Sequence, residues 1–297
     1  MTDDRFWPPR GFAALPAEHA DYRTARVVIL PVPYDSTVSG WVGAREGPAA
    51  IIEASENMEL YDIGIGREPY CVGIHTLPEL APHAGGPEAM LERIEEVVAE
   101  LLDDGKFVVT LGGEHTVAVG AVRAHARRTP GLSVLAFDAN ADLRDSYMDT
   151  PYSHACTLRR ALECLPAGRH GAPVVLVGLR SAEREEHEFI QDRGLPFYSP
   201  REYRAAGPES IAAQLADDVY ITIDLDAFDP SQVAAVGTPE PGGLLWDEVS
   251  ELLGTVARQR RIVGFDVTEL APSLGPRANA QLAAKLTYRL IGLAVRE

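Results

Sequence analysis

The sequence is poor in cysteine, short of basic residues, and free of any apolar run near the roughly 20 residues needed to cross a bilayer. Each shortage closes off a class of protein. Cys71, Cys156 and Cys164 form neither an even disulfide set nor a CxxC metal spacing, so they are expected to be reduced and mostly structural. Met1-Thr2-Asp3-Asp4-Arg5 opens with acids and lacks the basic-then-apolar order of an export signal; a cytoplasmic protein is expected. The 27 bases against 44 acids give a formal charge of −17. Such a field repels polyanions, which argues against nucleic acid or an anionic membrane as partner. It is compatible with a small cationic substrate. The Ser39–Gly47 loop contains glycines but lacks the Lys-Ser/Thr ending of a phosphate-binding loop. No linker, repeat or low-complexity tract interrupts the chain, so residues 1–297 read as one domain.

Hydrophobic residues make up 46% of the chain and charged residues 24%, as in a globular protein with a sizeable core. Short β-rich runs fall at Arg26–Leu30, Cys71–Thr76, Phe107–Leu111, Ser133–Phe137, Val174–Gly178, Leu195–Tyr198, Val219–Ile223 and Ile262–Phe265. Helical patterns separate several of them, at Pro87–Asp103, Thr116–Arg128, Ala182–Asp192 and Trp246–Arg258, and Ala278–Val295 closes the chain. Apolar strands alternating with helices predict an α/β fold, a parallel sheet covered on both faces. Sites in such sheets form beyond the carboxyl ends of the strands.

Four of these strand ends carry unusual residues. Phe107–Leu111 runs into Gly112-Gly113-Glu114-His115-Thr116, and Ser133–Phe137 into Asp138-Ala139-Asn140-Ala141-Asp142. Val219–Ile223 runs into Asp224-Leu225-Asp226-Ala227-Phe228-Asp229-Pro230, and Ile262–Phe265 into Asp266 through Pro272. In an extended segment, residues two apart share a face, so Asp138, Asn140 and Asp142 can converge, as can Asp224 and Asp226. Gathered carboxylates repel and raise one another's pKa unless a cation neutralises them. One His among several Asp favours a hard or borderline ion such as Mn2+ over a thiolate-type Zn2+ site. A single Asp after a strand is commonly a cap or turn residue; the coincidence of several at neighbouring ends is what points to metal. His19, His75, His83, His125, His170 and His187 lie outside the clusters and read as surface or packing residues.

These motifs resemble the ureohydrolase (arginase–agmatinase) family, and most closely its agmatinase branch. The likeness extends to Pro31-Val32-Pro33-Tyr34-Asp35 and Gly43 through Ile51, so it spans nearly the whole chain. It implies a three-layer α/β/α fold with an eight-stranded parallel sheet, two Mn2+ ions bridged by a hydroxide, and a homotrimer or homohexamer. His115, Asp138, Asp142 and Asp224 would hold one ion; Asp138, Asp224, Asp226 and the residue at position 140 would hold the other. The family pattern there is Asp-Ala-His-x-Asp, whereas this sequence has Asn140 in place of the His. Asn offers a neutral carbonyl oxygen on a shorter side chain, a weaker ligand for Mn2+. By the same resemblance Asp142 would orient the hydroxide, Glu269 would grip the guanidinium, and His154 would shuttle a proton to the leaving amine. Arginases share a Ser-Gly-Asn segment that reads an α-carboxylate. Asp149-Thr150-Pro151-Tyr152-Ser153-His154 lacks it, which favours agmatine, hydrolysed to putrescine and urea, over arginine, with guanidinobutyrate left open. Three further readings compete: a metal-deficient guanidino-compound binder, a thiol hydrolase using Cys156 with His154, and a single-Zn2+ deacetylase on a related fold.

Overall fold

In the computed structural model, which describes residues 10–165 and 171–295, the apolar runs become eight strands: β1 Val27–Val32, β2 Ile74–Thr76, β3 Phe107–Gly112, β4 Ser133–Phe137, β5 Val174–Val177, β6 Phe197–Tyr198, β7 Asp218–Asp224 and β8 Arg261–Thr268. All pair in parallel in one sheet, in the order β2-β1-β3-β8-β7-β4-β5-β6. The helices are α1 Ala17–Ala20, α2 Gly47–Ser55, α3 Pro87–Asp103, α4 Ala118–Arg128, α5 Thr157–Cys164, α6 Arg184–Arg193, α7 Pro200–Ala206, α8 Pro208–Ala212, α9 Trp246–Gln259 and α10 Ala278–Ala294.

Strand periodicity divides the core in two. Val27, Ile29, Val109, Leu111, Val175 and Val177 point to one face, where Ile51 of α2, Val249 and Leu252 of α9 and Leu286 of α10 cover them. Their neighbours Val28, Leu30, Val108, Val134 and Leu176 point to the other, against Ile94 of α3, Val122 of α4 and Leu158 of α5. The expected three-layer α/β/α arrangement is therefore present. Among the described residues, no helix is long and apolar enough to cross a membrane.

Several boundaries differ from expectation by two or three residues, β8 for one running on to Thr268, and at two of them a 3₁₀ turn is the cause. Pro69–Val72 forms a 3₁₀ turn, closed by the Gly73 N–H on Tyr70 O, so β2 begins only at Ile74. Val117 and its neighbours form another such turn before α4 begins at Ala118.

Asp62, fully buried after α2, takes both Nε and Nη2 of Arg289 on α10 at 3.0 Å and the Gly64 N–H at 2.7 Å. Burial works to raise the Asp62 pKa, but Arg289 and the Gly64 amide outweigh it and hold the carboxyl below its usual range. Asp62→Ala leaves the Arg289 guanidinium without its paired carboxylate and is expected to cost about 3 kcal/mol in denaturant unfolding. A depressed folded pKa means that this stabilisation is complete above the ordinary carboxylate range and is lost as pH falls through the folded value. The variant's deficit should therefore shrink in acid.

Candidate metal centre

The order β3-β8-β7-β4 sets four strand ends side by side at the middle of the sheet. Each delivers part of one cluster. After β3 the chain makes a turn that only glycine permits: a Cβ on Gly113 would lie 2.0 Å from the Tyr34 carbonyl oxygen. That turn delivers Glu114 and His115. Asp138 follows directly on β4, Asp224 closes β7, and Glu269 follows directly on β8. Asp138, Asp142, Asp224, Asp226 and Glu269 are all buried together with His115.

The convergence of these acids has a different origin from the one expected. Asp142 stands at φ 49, and Leu225–Ala227 form a 3₁₀ turn, so neither segment is an extended strand presenting alternate residues. Asp138 and Asp224 each spend one oxygen on a tight turn: Asp138 Oδ1 accepts the Asn140 N–H at 2.7 Å, and Asp224 Oδ1 accepts the Asp226 N–H at 2.9 Å. Their second oxygens face His115. Turn residue and site residue are thus the same side chain.

His115 Nδ1 lies 3.0 Å from Asp142 Oδ2, 3.1 Å from Asp138 Oδ2 and 3.6 Å from Asp224 Oδ2. One nitrogen can offer one hydrogen, and Asp138 Oδ2 is left buried without a hydrogen-bond partner. Burial opposes protonation of His115, yet the close carboxylates of Asp138 and Asp142 and the charge of Asp224 drive its pKa well above normal. Burial foremost, then the charges of Asp142 and Asp226, raises Asp138; burial, then Asp226 and Asp138, raises Asp224. This donor set fits a divalent cation. Ligand atoms of His115, Asp138 and Asp224 lie within 4.8 Å of one another, and a cation among them would relieve the repulsion and occupy the orphaned oxygen.

Asn140 sits on the other side of the cluster. Its Nδ2 donates to Asp226 Oδ2 at 2.8 Å, the Thr238 hydroxyl donates to the same oxygen at 3.2 Å, and the Ala139 N–H donates to Asp226 Oδ1 at 2.9 Å. Both oxygens of Asp226 are therefore met by protein donors, whereas Asp138 Oδ2 is not. Behind it, Arg180 holds the loop: its Nη2 donates to the carbonyls of Asp226 and Glu240, both at 2.7 Å.

Glu269 stands at φ 66, a left-handed conformation that costs a residue with Cβ roughly 1–2 kcal/mol. Its Oε1 accepts the His115 N–H at 2.6 Å and lies 3.9 Å from His154 Nδ1. His154 Nε2 accepts the Ser39 N–H at 3.3 Å and is 2.9 Å from Ser39 Oγ. Nδ1 therefore carries the hydrogen and faces Glu269. Burial, partly offset by Asp142, lowers the His154 pKa. The Thr37 hydroxyl accepts the His154 N–H at 2.9 Å, while the Thr37 N–H donates to Glu114 at 2.7 Å; burial, opposed by that bond, pushes Glu114 up to about 8. A cavity of about 290 Å³ opens onto the cluster past Ser39, Asn140, Asp142, Arg144, His154 and Glu183.

Every candidate site residue, His115, Asp138, Asn140, Asp142, His154, Asp224, Asp226 and Glu269, thus falls in one connected region. Ser39, Thr37, Glu114 and Arg180 also serve it and carried no assigned role in the sequence. Cys156 is fully buried, and burial pushes its thiol up to about 11, so it is no ready nucleophile. His19, His75, His83, His125 and His187 stand apart from the cluster, and His170 lies outside the described residues.

A buried imidazole among carboxylates at the carboxyl edge of a parallel sheet is a donor set that could hold a divalent cation. The chain belongs to the arginase family, whose profile matches residues 25–292. It is 37% identical over 281 residues to the N(1)-aminopropylagmatine ureohydrolase of Synechocystis sp., covering 91% of this chain and 90% of that protein. It is 33% identical to the agmatinase of Pyrococcus horikoshii, covering 93% and 94%. The crystal structure of the agmatine ureohydrolase of Thermoplasma volcanium superposes with a TM-score of 0.83 at 34% identity, covering 92% of this chain and 91% of that one. The agmatinase-like ureohydrolase resemblance drawn from the motifs is borne out, and the deacetylase alternative is set aside.

Proposed function

We propose that this protein hydrolyses the terminal guanidinium of an amine-tailed guanidino compound, agmatine or its N1-aminopropyl derivative, releasing urea and the corresponding amine. The observation that carries the reading is the set of three buried carboxylate oxygens gathered on one imidazole nitrogen. His115, Asp138, Asp142 and Asp224 would hold one Mn2+, and Asp138, Asp224 and Asp226, with Asn140 beside them, a second, more weakly held ion. When bound, such ions acidify water and offset charge developing at the guanidinium carbon.

The chain's own groups do the rest. Glu269, fixed by the His115 N–H, accepts hydrogen bonds from the guanidinium NH2 groups. Asp142 accepts a hydrogen bond from the attacking water and aims it. Water adds to the guanidinium carbon and gives up two protons, one to Asp142 and one to the cleft. The bond from that carbon to the alkyl nitrogen breaks, and the leaving nitrogen takes one proton from Asp142 and one from His154 Nδ1. The imidazole takes up a proton at Nε2, beside Ser39 Oγ, as it gives up the one on Nδ1. Ser39 keeps Nδ1 turned into the cleft. His154→Asn is expected to lower kcat roughly 100-fold while leaving KM within a few-fold, as steady-state urea release would show.

The cleft disfavours an α-carboxylate. Its arginine, Arg144, already pairs with Glu183 at 3.0 Å and stacks on the Tyr147 ring. Relatives named for N(1)-aminopropylagmatine and agmatine support amine-tailed substrates over arginine. Urea release with Mn2+, compared across these three substrates with and without a chelator, tests the reading. The expected order of kcat/KM puts both amine-tailed compounds well above arginine, with chelation abolishing all turnover. Preference for arginine, or silence toward all three with metal bound, would overturn it and favour a guanidino-compound binder.

A further inference from the structure

Beneath the cluster, the sheet buries polar side chains where apolar ones are expected. Thr110 of β3, Asp266 of β8 and Thr222 of β7 stand in register on three adjacent central strands, all on the face that α4 covers and all essentially inaccessible. Asp266 lies inside β8, two residues short of its end, so the cap-or-turn explanation for an Asp after a strand does not apply to it. An uncompensated carboxylate at such a depth costs several kcal/mol. It is there to hold something.

What it holds is visible. The Thr222 hydroxyl donates to Asp266 Oδ1 at 2.7 Å, and His115 Nε2 lies 2.9 Å from the Thr222 oxygen. A hydroxyl has a single hydrogen. Given to Asp266, it leaves the threonine oxygen only lone pairs for the imidazole, so Nε2 must carry a hydrogen and donate. A neutral imidazole with its hydrogen on Nε2 has a bare lone pair on Nδ1, the nitrogen that faces Asp138, Asp142 and Asp224.

We propose that Asp266, acting through Thr222, is a positioning residue that fixes the tautomer of His115 and so presents Nδ1 as a metal ligand. The proposal rests on the metal-centre reading above and adds residues to which that reading gives no part. Without the relay the preference runs the other way, because an Nδ1–H facing three carboxylates is the better arrangement in a metal-free cluster. Asp266→Asn makes that reversal available: its NH2 group can donate to Thr222, turning the threonine hydrogen onto Nε2 and placing the imidazole hydrogen on Nδ1. Thr222→Val removes the acceptor altogether; Thr222→Ser keeps it.

Mn2+ affinity is measured by equilibrium titration on the full chain, alongside thermal unfolding of the metal-free protein. In the Zn2+-loaded protein, long-range 1H–15N correlations of His115 report which nitrogen carries hydrogen. Outer partners of metal-binding histidines are worth roughly 10–100-fold in affinity, and a loss of that size is expected for Asp266→Asn and Thr222→Val. Thr222→Ser should stay within about threefold of the parent, and the parent's His115 should carry its hydrogen on Nε2. Should either variant fold poorly, Thr222→Ser and the parent spectrum still decide. Unchanged affinity in folded Asp266→Asn or Thr222→Val, or a hydrogen on His115 Nδ1 in the Zn2+-loaded parent, overturns the relay while leaving the metal centre standing. A parent chain that binds no Mn2+ overturns the metal centre itself, and the relay with it.

Discussion

Asp224→Asn is expected to reduce urea release at least 1,000-fold, about 4 kcal/mol of transition-state stabilisation, without unfolding the protein. The two halves of this outcome come from the two oxygens. Oδ1 accepts the Asp226 N–H and shapes the turn after β7, and an asparagine carbonyl in the same place continues to accept it. Oδ2 faces His115 with Asp138 and Asp142 around it, and the substitution removes the negative charge that a divalent ion requires there. Removing one charge from a group of buried, mutually repelling carboxyls also relieves the metal-free fold. Metal-free Asp224→Asn should therefore melt at or above the parent's temperature while activity collapses. A variant that loses stability but keeps turnover would assign Asp224 to the turn alone.

Asn140→His is the gain-of-function counterpart. In the present chain the Asn140 amide donates to Asp226 Oδ2, and Thr238 donates to the same oxygen, so protein donors hold the lone pairs that a second ion would need. An imidazole offers a lone pair, is longer, and is a better Mn2+ ligand than a neutral amide oxygen. We expect the second Mn2+ to bind roughly 10–100-fold more tightly, and turnover at limiting Mn2+ to rise in step. The parent approaches the variant as Mn2+ is raised. An unchanged second affinity would mean that Asn140 is not what limits the site.

Much of the metal centre is legible in the sequence because its side chains sit next to β-rich runs that the alternation with helices already arranges in a sheet. His115, Asp138, Asp224 and Glu269 need only the rule that sites form beyond carboxyl ends to be placed together. The reason for their convergence was not legible. Asp142 reaches the cluster through a left-handed backbone and Asp226 through a 3₁₀ turn, neither of which follows from spacing. Residues that act through the backbone were equally silent: Arg180 grips carbonyls, and Ser39 and Thr37 reach His154 from more than a hundred positions away. Asp266 was visible as part of a motif, but its service to His115 depends on the register between β7 and β8. In the fold, the long periodic elements were clear. Gly47–Ser55 and Thr157–Cys164 were not anticipated as helices, being short and placed beside motif segments, and two-residue β6 leaves little pattern from which to fix its ends.

The most direct test is the metal content of the purified chain after equilibration with Mn2+ and removal of free ion, with Asn140→His treated alongside. One tightly held ion per chain is expected for the parent and two for the variant, because the His115 side is complete and the Asp226 side is occupied by protein donors. Two tightly held ions in the parent would contradict the role given to Asn140, and none in either would contradict the metal centre.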